Sequence, residues 1–218
     1  MRSKIVVVKQ HHEVLYAWAE LRRRLDAPPA VWSLDTHTDT MLSFRGEANP
    51  PQKGDWAAAT TVDRAVQTLR HDEHFDWALR SGTISRASIL ALLPGDLPPA
   101  HPGMTVHTPP DLPDTAVILN NAELFRPYAE KMLTSDFLRR SFGNDLPEDD
   151  NFILDIDCDY VYCADALSES GKELLRSLAE RALLITLSEE NEWVKILKLP
   201  GEKITGTSIA ENLKKLLS

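Results

Sequence analysis

The sequence predicts an α/β protein with three layers, α/β/α, around a mostly parallel sheet. Short apolar runs of strand length recur along the chain, at residues 5–8, 30–34, 152–156 and 183–187. Amphipathic helical stretches separate them, where an antiparallel sheet would have tight turns. Three of the early runs also end directly in clusters of His or Asp, the pattern of a sheet whose carboxyl edge carries a site.

Taken in order, residues 5–8 are β-branched and read as a strand. Over residues 13–25, Val14, Leu15, Ala17, Trp18, Leu21 and Leu25 follow a period near 3.6 and predict a helix. Pro28 and Pro29 end it, and 30–34 is the second strand. Gly, Asn and Pro punctuate residues 43–57, which read as a loop. Residues 60–69, 75–80 and 85–93 read as helices. Seven prolines between residues 94 and 113 predict an irregular excursion, reaching to 114, from one 1–218 domain. Then come a strand at 116–119, a helix at 122–141, the strand at 152–156, a helix at 168–182 capped by Ser168, and the strand at 183–187. Residues 194–199 fit either strand or helix, and 208–217 closes the chain as an amphipathic helix.

Composition sets the broad class. In 218 residues, 43% are hydrophobic and 26% charged, as in an ordinary globular protein. A net charge of −9 argues against nucleic acid, which needs clustered Lys and Arg. The run at 5–8 is too short for a signal-peptide core or a bilayer crossing. A cytoplasmic protein with reduced Cys158 and Cys163 and no membrane partner is therefore expected.

The chemistry lies at the strand ends. Residues 5–8 run towards His11 and His12, 30–34 into Asp35, His37 and Asp39, and 152–156 into Asp157 and Asp159, with Asp155 just before. In extended backbone Asp35-x-His37-x-Asp39 and Asp155-x-Asp157 each present their side chains on one face. Carboxylates packed this closely repel one another and rise in pKa unless a cation neutralises them. Two dications relieve a cluster of four, with imidazoles completing the shells. Such a donor set suits Mn²⁺ better than thiolate-seeking metals. Cys158 alternates away from the ligands and reads as packing, as do Trp18 and Trp32.

The stretches LDTHTD (34–39) and LDIDCD (154–159), with KQHH (9–12) upstream, resemble the three metal motifs of the arginase and ureohydrolase superfamily. KIVVVKQHHEVLYAW and FILDIDCDY further resemble a family of short proteins that includes peptide arginases. The resemblance implies an arginase/deacetylase-like fold and two Mn²⁺ ions held by His11, Asp35, His37, Asp39, Asp155 and Asp157, with His12 the other choice at the first position. The superfamily has Asp-His after paired glycines there, where this chain has Gln10-His11. Tyr160 stands where ordinary arginases go on to Asp-Pro. Asp159 is expected beside the ligands or facing substrate.

The implied reaction is hydrolysis of an arginine side chain in a precursor peptide to ornithine and urea, by a hydroxide bridging the metals. Asp39 would pass a proton to the leaving amine, and Glu189, or else Glu190, would hold the guanidinium. The chain length leaves little for loops that grip a free amino acid, which favours a peptide. A proton-shuttling histidine is implied too. His101 and His107 are the first candidates, on the excursion, and His71 and His74 read as ordinary histidines. Two other readings share the motifs: a small-molecule ureohydrolase or amidohydrolase, and a metal-stabilised protein that binds basic peptides without turnover. Metallophosphoesterases need Gly-Asn-His-Asp and Gly-His-x-His, and covalent hydrolases need Gly-x-Ser-x-Gly; the sequence has none of these, and no His pair of the kind zinc deacetylases use as acid and base follows the second motif.

Overall fold

A computed structural model describes residues 4–46, 59–93 and 98–218. Six strands form one sheet: β1 (Lys4–Val8), β2 (Ala30–Asp35), β3 (Arg86–Ala91), β4 (Met104–His107), β5 (Phe152–Asp157) and β6 (Leu184–Ser188). Their order is β1-β6-β5-β2-β3-β4, and every pairing is parallel. From β2 the chain winds outwards through β3 to β4. It then returns to lay β5 against the other side of β2 and winds the opposite way to β6. The reversal opens a crevice between the carboxyl ends of β2 and β5, the usual place for a ligand in an open α/β sheet.

Pleat alternation sorts the strand side chains to two cores. Trp32, Leu34, Leu154, Ile156, Ile185 and Leu187 face one side. There they meet α4 (Thr115–Asn120), α5 (Ala122–Ala129), α6 (Ser135–Phe142), α7 (Glu173–Arg181), α8 (Asn191–Leu197) and α9 (Gly206–Leu217). Val31, Ile89, Ile153 and Leu184 face the other side. That side is covered by α1 (Val14–Arg22), α2 (Ala59–Thr68) and α3 (His74–Arg80). The predicted three layers are thus present. Among the described residues no helix is long and apolar enough to cross a membrane.

The second face also carries two polar rungs. Ser33, Asp155 and Thr186 lie side by side in register on β2, β5 and β6. Two residues further along, Asp157 pairs with Ser188, and Asp35 ends β2. The two rungs stand about 6.6 Å apart along the strands.

Several elements differ from expectation. Residues 85–93 are not a helix; they hold β3, buried between β2 and β4, where a central parallel strand is apolar on both faces and loses its alternation. Residues 116–119 lie in α4 and not in a strand, with the Val117 and Ile118 amides donating to the Asp114 carbonyl. The single helix expected at 122–141 is two: Pro127 lies inside α5, and the Thr134 hydroxyl caps a fresh start at α6. Ser168 does not cap α7, which begins at Glu173; the Ser135 hydroxyl accepts from the Leu174 amide instead. The proline-rich stretch contains β4, and residues 94–97 lie outside the described residues, as do 47–57 of the expected loop. Residues 194–199 resolve largely to helix, in α8.

The start of α9 presses on the end of β6. A Cβ at Gly206 would collide with the Glu189 carbonyl, so this position has room only for hydrogen. Gly206→Ala is expected to cost about 1–3 kcal/mol, the range for forced overpacking, seen as a lower denaturation midpoint. An unchanged midpoint would contradict the close approach.

Candidate metal centre

The crevice between β2 and β5 gathers residues from four parts of the chain. Gln10 and Glu13 form a capping box around a short 3₁₀ turn, His11–Glu13, and this turn sends the His11 ring inwards. His11 is 1% exposed. Its Nδ1 lies 3.0 Å from Asp39 Oδ2, 3.2 Å from Asp157 Oδ2 and 3.4 Å from Asp35 Oδ2. Its Nε2 points the other way, 2.8 Å from Asp155 Oδ2. His12 turns away to line a neighbouring cavity.

A second group adjoins the first through Asp35. His37 Nδ1 stands 3.0 Å from Asp159 Oδ2 and 3.9 Å from Asp35 Oδ1. The backbone holds these carboxylates: the His37 amide donates to Asp35 Oδ1, the Thr36 amide to Asp159 Oδ1 and the Asp159 amide to Asp157 Oδ1. Asp39 adopts a left-handed φ of 47°, which an Asp tolerates. Past it, Asp76 accepts from the Ser43 amide and hydroxyl, and Glu73 from the Phe44 amide, so residues 43–44 are anchored to α3.

These donors suit a divalent ion. Asp35 Oδ2, Asp159 Oδ2 and Ser188 Oγ are buried without a hydrogen-bond partner among the described residues. Neighbouring imidazole nitrogens come close without pointing at these carboxylate oxygens, as donors do when they converge on a shared point. The donor sets are His11–Asp35–Asp157, Asp35–His37–Asp159 and His11–Asp39–His74. All are oxygen or imidazole nitrogen, the preference of Mn²⁺-like ions. Cys158 packs into the opposite core.

The crowding displaces the pKa values of these groups. Burial, then Asp39, raises Asp35 to about 7. Burial, then Asp159, lifts Asp157 well above the carboxylate range. For His37 burial acts downwards, but the Asp159 carboxylate close beside it outweighs this and carries the ring to about 9. For His11 burial is again the largest influence and lowers it, yet Asp155 and Asp157 together hold it well above the ordinary imidazole value. Fully buried His74 is driven well below it, by burial and then His11.

Of the expected residues, the structure brings His11, Asp35, His37, Asp39 and Asp157 together, and Asp159 with them. Asp155 lies on the far side of His11, on the lower rung, where Thr186 Oγ1 (2.5 Å) and Ser33 Oγ (2.8 Å) donate to its two oxygens. Glu189 and Glu190 both line a cavity of about 600 Å³ with Lys9, His71, Glu192 and Trp193. Glu190, at a left-handed φ of 38°, accepts from the His11 amide at 2.5 Å, whereas the Glu189 carboxylate accepts from the Asn191 side chain. His101 accepts from the Gly103 amide and His107 bonds Asp145; neither lines this cavity, and His71 does. Sequence reasoning missed Trp193, whose ring lies 4.9 Å from that of His37. Its one available signal was its position three residues beyond the paired glutamates.

No protein-family model and no curated protein matches the chain. Among solved structures it is similar to a proclavaminate amidino hydrolase from Streptomyces clavuligerus, at 15% identity and a TM-score of 0.48, over 98% of this chain and 61% of that one. It is also similar to a hypothetical agmatinase from Burkholderia thailandensis, at 14% identity and a TM-score of 0.49, over 98% and 59% respectively. The chain spans about three-fifths of the length of these proteins.

A dication requires ionised carboxylates and neutral imidazoles, so binding releases protons. Mn²⁺ affinity is therefore expected to climb as pH rises from about 6 to about 9, through the values of Asp35 and His37. Folding of the metal-free protein raises both groups. Their stabilising contribution is complete below the unfolded values and is lost as pH passes about 7 for Asp35 and about 9 for His37. Melting temperatures with and without Mn²⁺ should diverge as pH rises. Curves that converge would contradict this picture.

Proposed function

We propose that the protein is a binuclear metal-dependent hydrolase of guanidinium groups, converting arginine side chains of a peptide to ornithine and releasing urea. The observation that carries the reading is the pair of donor sets sharing Asp35, beside a cavity rimmed by Glu189, Glu192 and Trp193. The resemblance of LDTHTD and LDIDCD to the ureohydrolase motifs supports it. So does the cavity size, which falls within the ~300–1,000 Å³ of small-ligand sites.

His11, Asp35, Asp39 and Asp157 would hold one ion, and Asp35, His37 and Asp159 the other. Two Mn²⁺ ions would supply an activated water at neutral pH and charge stabilisation near the reacting carbon. Glu189 accepts guanidinium N–H bonds, a charge-assisted contact that also fixes orientation. Trp193 offers its face to the flat cation. Asp39, whose carboxylate lies beside His11, would take the proton that the water gives up and deliver it to the departing amine. His71, at the cavity wall, exchanges protons with solvent.

The rim favours arginine within a peptide. Glu189, Glu190 and Glu192 line the cavity, with Lys9 the one Lys or Arg among its described lining. The α-carboxylate of a free amino acid would meet repulsion there, whereas a peptide amide is neutral. A guanidinoalkylamine also meets this electrostatic condition and is the second substrate to assay.

Mn²⁺-loaded protein is expected to release urea from arginine-containing peptides, each converted arginine losing the mass of one cyanamide unit. Glu189→Gln should lower kcat/KM about 10- to 100-fold, the worth of a hydrogen bond to a charged group. Trp193→Ala should act mainly by raising KM. Turnover of free arginine but not of peptides would refute the peptide substrate. Full activity of Glu189→Gln would refute its role.

A further inference from the structure

We infer that Asp155 is a positioning residue for the His11 ligand and does not itself bind metal. The inference rests on the metal-centre reading above and divides the Asp155-x-Asp157 pair into two different tasks.

Three of the four acceptor positions of Asp155 are already in use, both of those on Oδ2 among them. The carboxylate is fully buried. Thr186 Oγ1 donates to Oδ1, while Ser33 Oγ and His11 Nε2 both meet Oδ2. Thr186 is held in turn, because Trp18 Nε1 donates to its hydroxyl at 3.2 Å. The three direct partners come from β2, β6 and the 3₁₀ turn, and α1 holds the carboxylate at one remove, through Thr186. A metal on Oδ2, the oxygen turned to His11, would have to displace the Ser33 hydroxyl or the His11 ring. By contrast, Asp35 and Asp159 each keep a buried oxygen without a hydrogen-bond partner.

The His11 ring divides in the same way. Nδ1 faces Asp35, Asp39 and Asp157 within 3.4 Å, and Nε2 faces Asp155. A carboxylate on Nε2 holds the proton there, leaves the Nδ1 lone pair free for a cation, and fixes the ring plane. Strand geometry explains why the two aspartates differ. They share a face, but Asp155 sits one rung below Asp157, beneath the imidazole.

The test uses the isosteric variant Asp155→Asn, which keeps the shape and can still meet both hydroxyls. Mn²⁺ titration should give two ions per chain, as for the unaltered protein, with affinity weaker by about 10- to 100-fold. Asp157→Asn should lose at least one ion. In zinc-loaded unaltered protein, long-range ¹H–¹⁵N spectra should show His11 protonated at Nε2, with Nδ1 shifted by the metal. In Asp155→Asn that single tautomer should be lost. Loss of an ion in Asp155→Asn, unchanged affinity, or a proton on His11 Nδ1 in the unaltered protein would each overturn the assignment. The spectra of the unaltered protein decide the matter even if the variant misfolds. If the unaltered protein takes up no divalent metal, the metal-centre reading falls as well. If it binds two ions and only the Asp155 results fail, that reading stands.

Discussion

Four carboxylates, Asp35, Asp39, Asp157 and Asp159, are buried in one crevice with His11, His37 and His74 set among them. Burial makes charge expensive, and like charges at close range add to that expense. The upward displacements of Asp35, Asp157, His37 and His11 are the protein's own response: protons substitute for missing positive charge. The surrounding structure keeps the groups in place despite this. Backbone amides of Thr36, His37 and Asp159 hold the carboxylates, and the β2–β5 register aligns the strands that carry them.

The same constraint accounts for the polar strip inside an otherwise apolar face. Ser33, Asp155 and Thr186 interrupt a surface of Val, Ile and Leu against which α1 and α3 pack. A polar strip there is tolerable because each member is satisfied by another. It supports His11 from below, while Glu190 bonds the His11 amide from the side. The turn that delivers His11 is thereby linked to the end of β6, where Glu189 faces the cavity.

Much of this was legible in the sequence, for stated reasons. Strands ending in Asp and His announced themselves because apolar runs and chemistry-bearing residues are adjacent in the chain. The strand at β3 was not legible, since a strand buried on both faces has an Ala- and Leu-rich composition that equally suits a helix. Asp155 and Asp159 were the subtler case. Alternation places Asp155 and Asp157 on one face, but height along the strand decides which oxygens reach the crevice. The 3₁₀ turn Cys158–Tyr160 that brings Asp159 beside His37 has no periodic signature. Trp193 could not be found by motif, because its nearness to His37 depends on how α8 packs.

The central claim is that this crevice is built to hold two divalent ions. Anomalous diffraction at the manganese edge, from crystals grown with Mn²⁺, tests it most directly. The account predicts two peaks about 3.5–4 Å apart between the ends of β2 and β5, with Asp35 touching both and Asp159 touching one. A single peak, a peak seated on Asp155, or an empty crevice at saturating Mn²⁺ would contradict it.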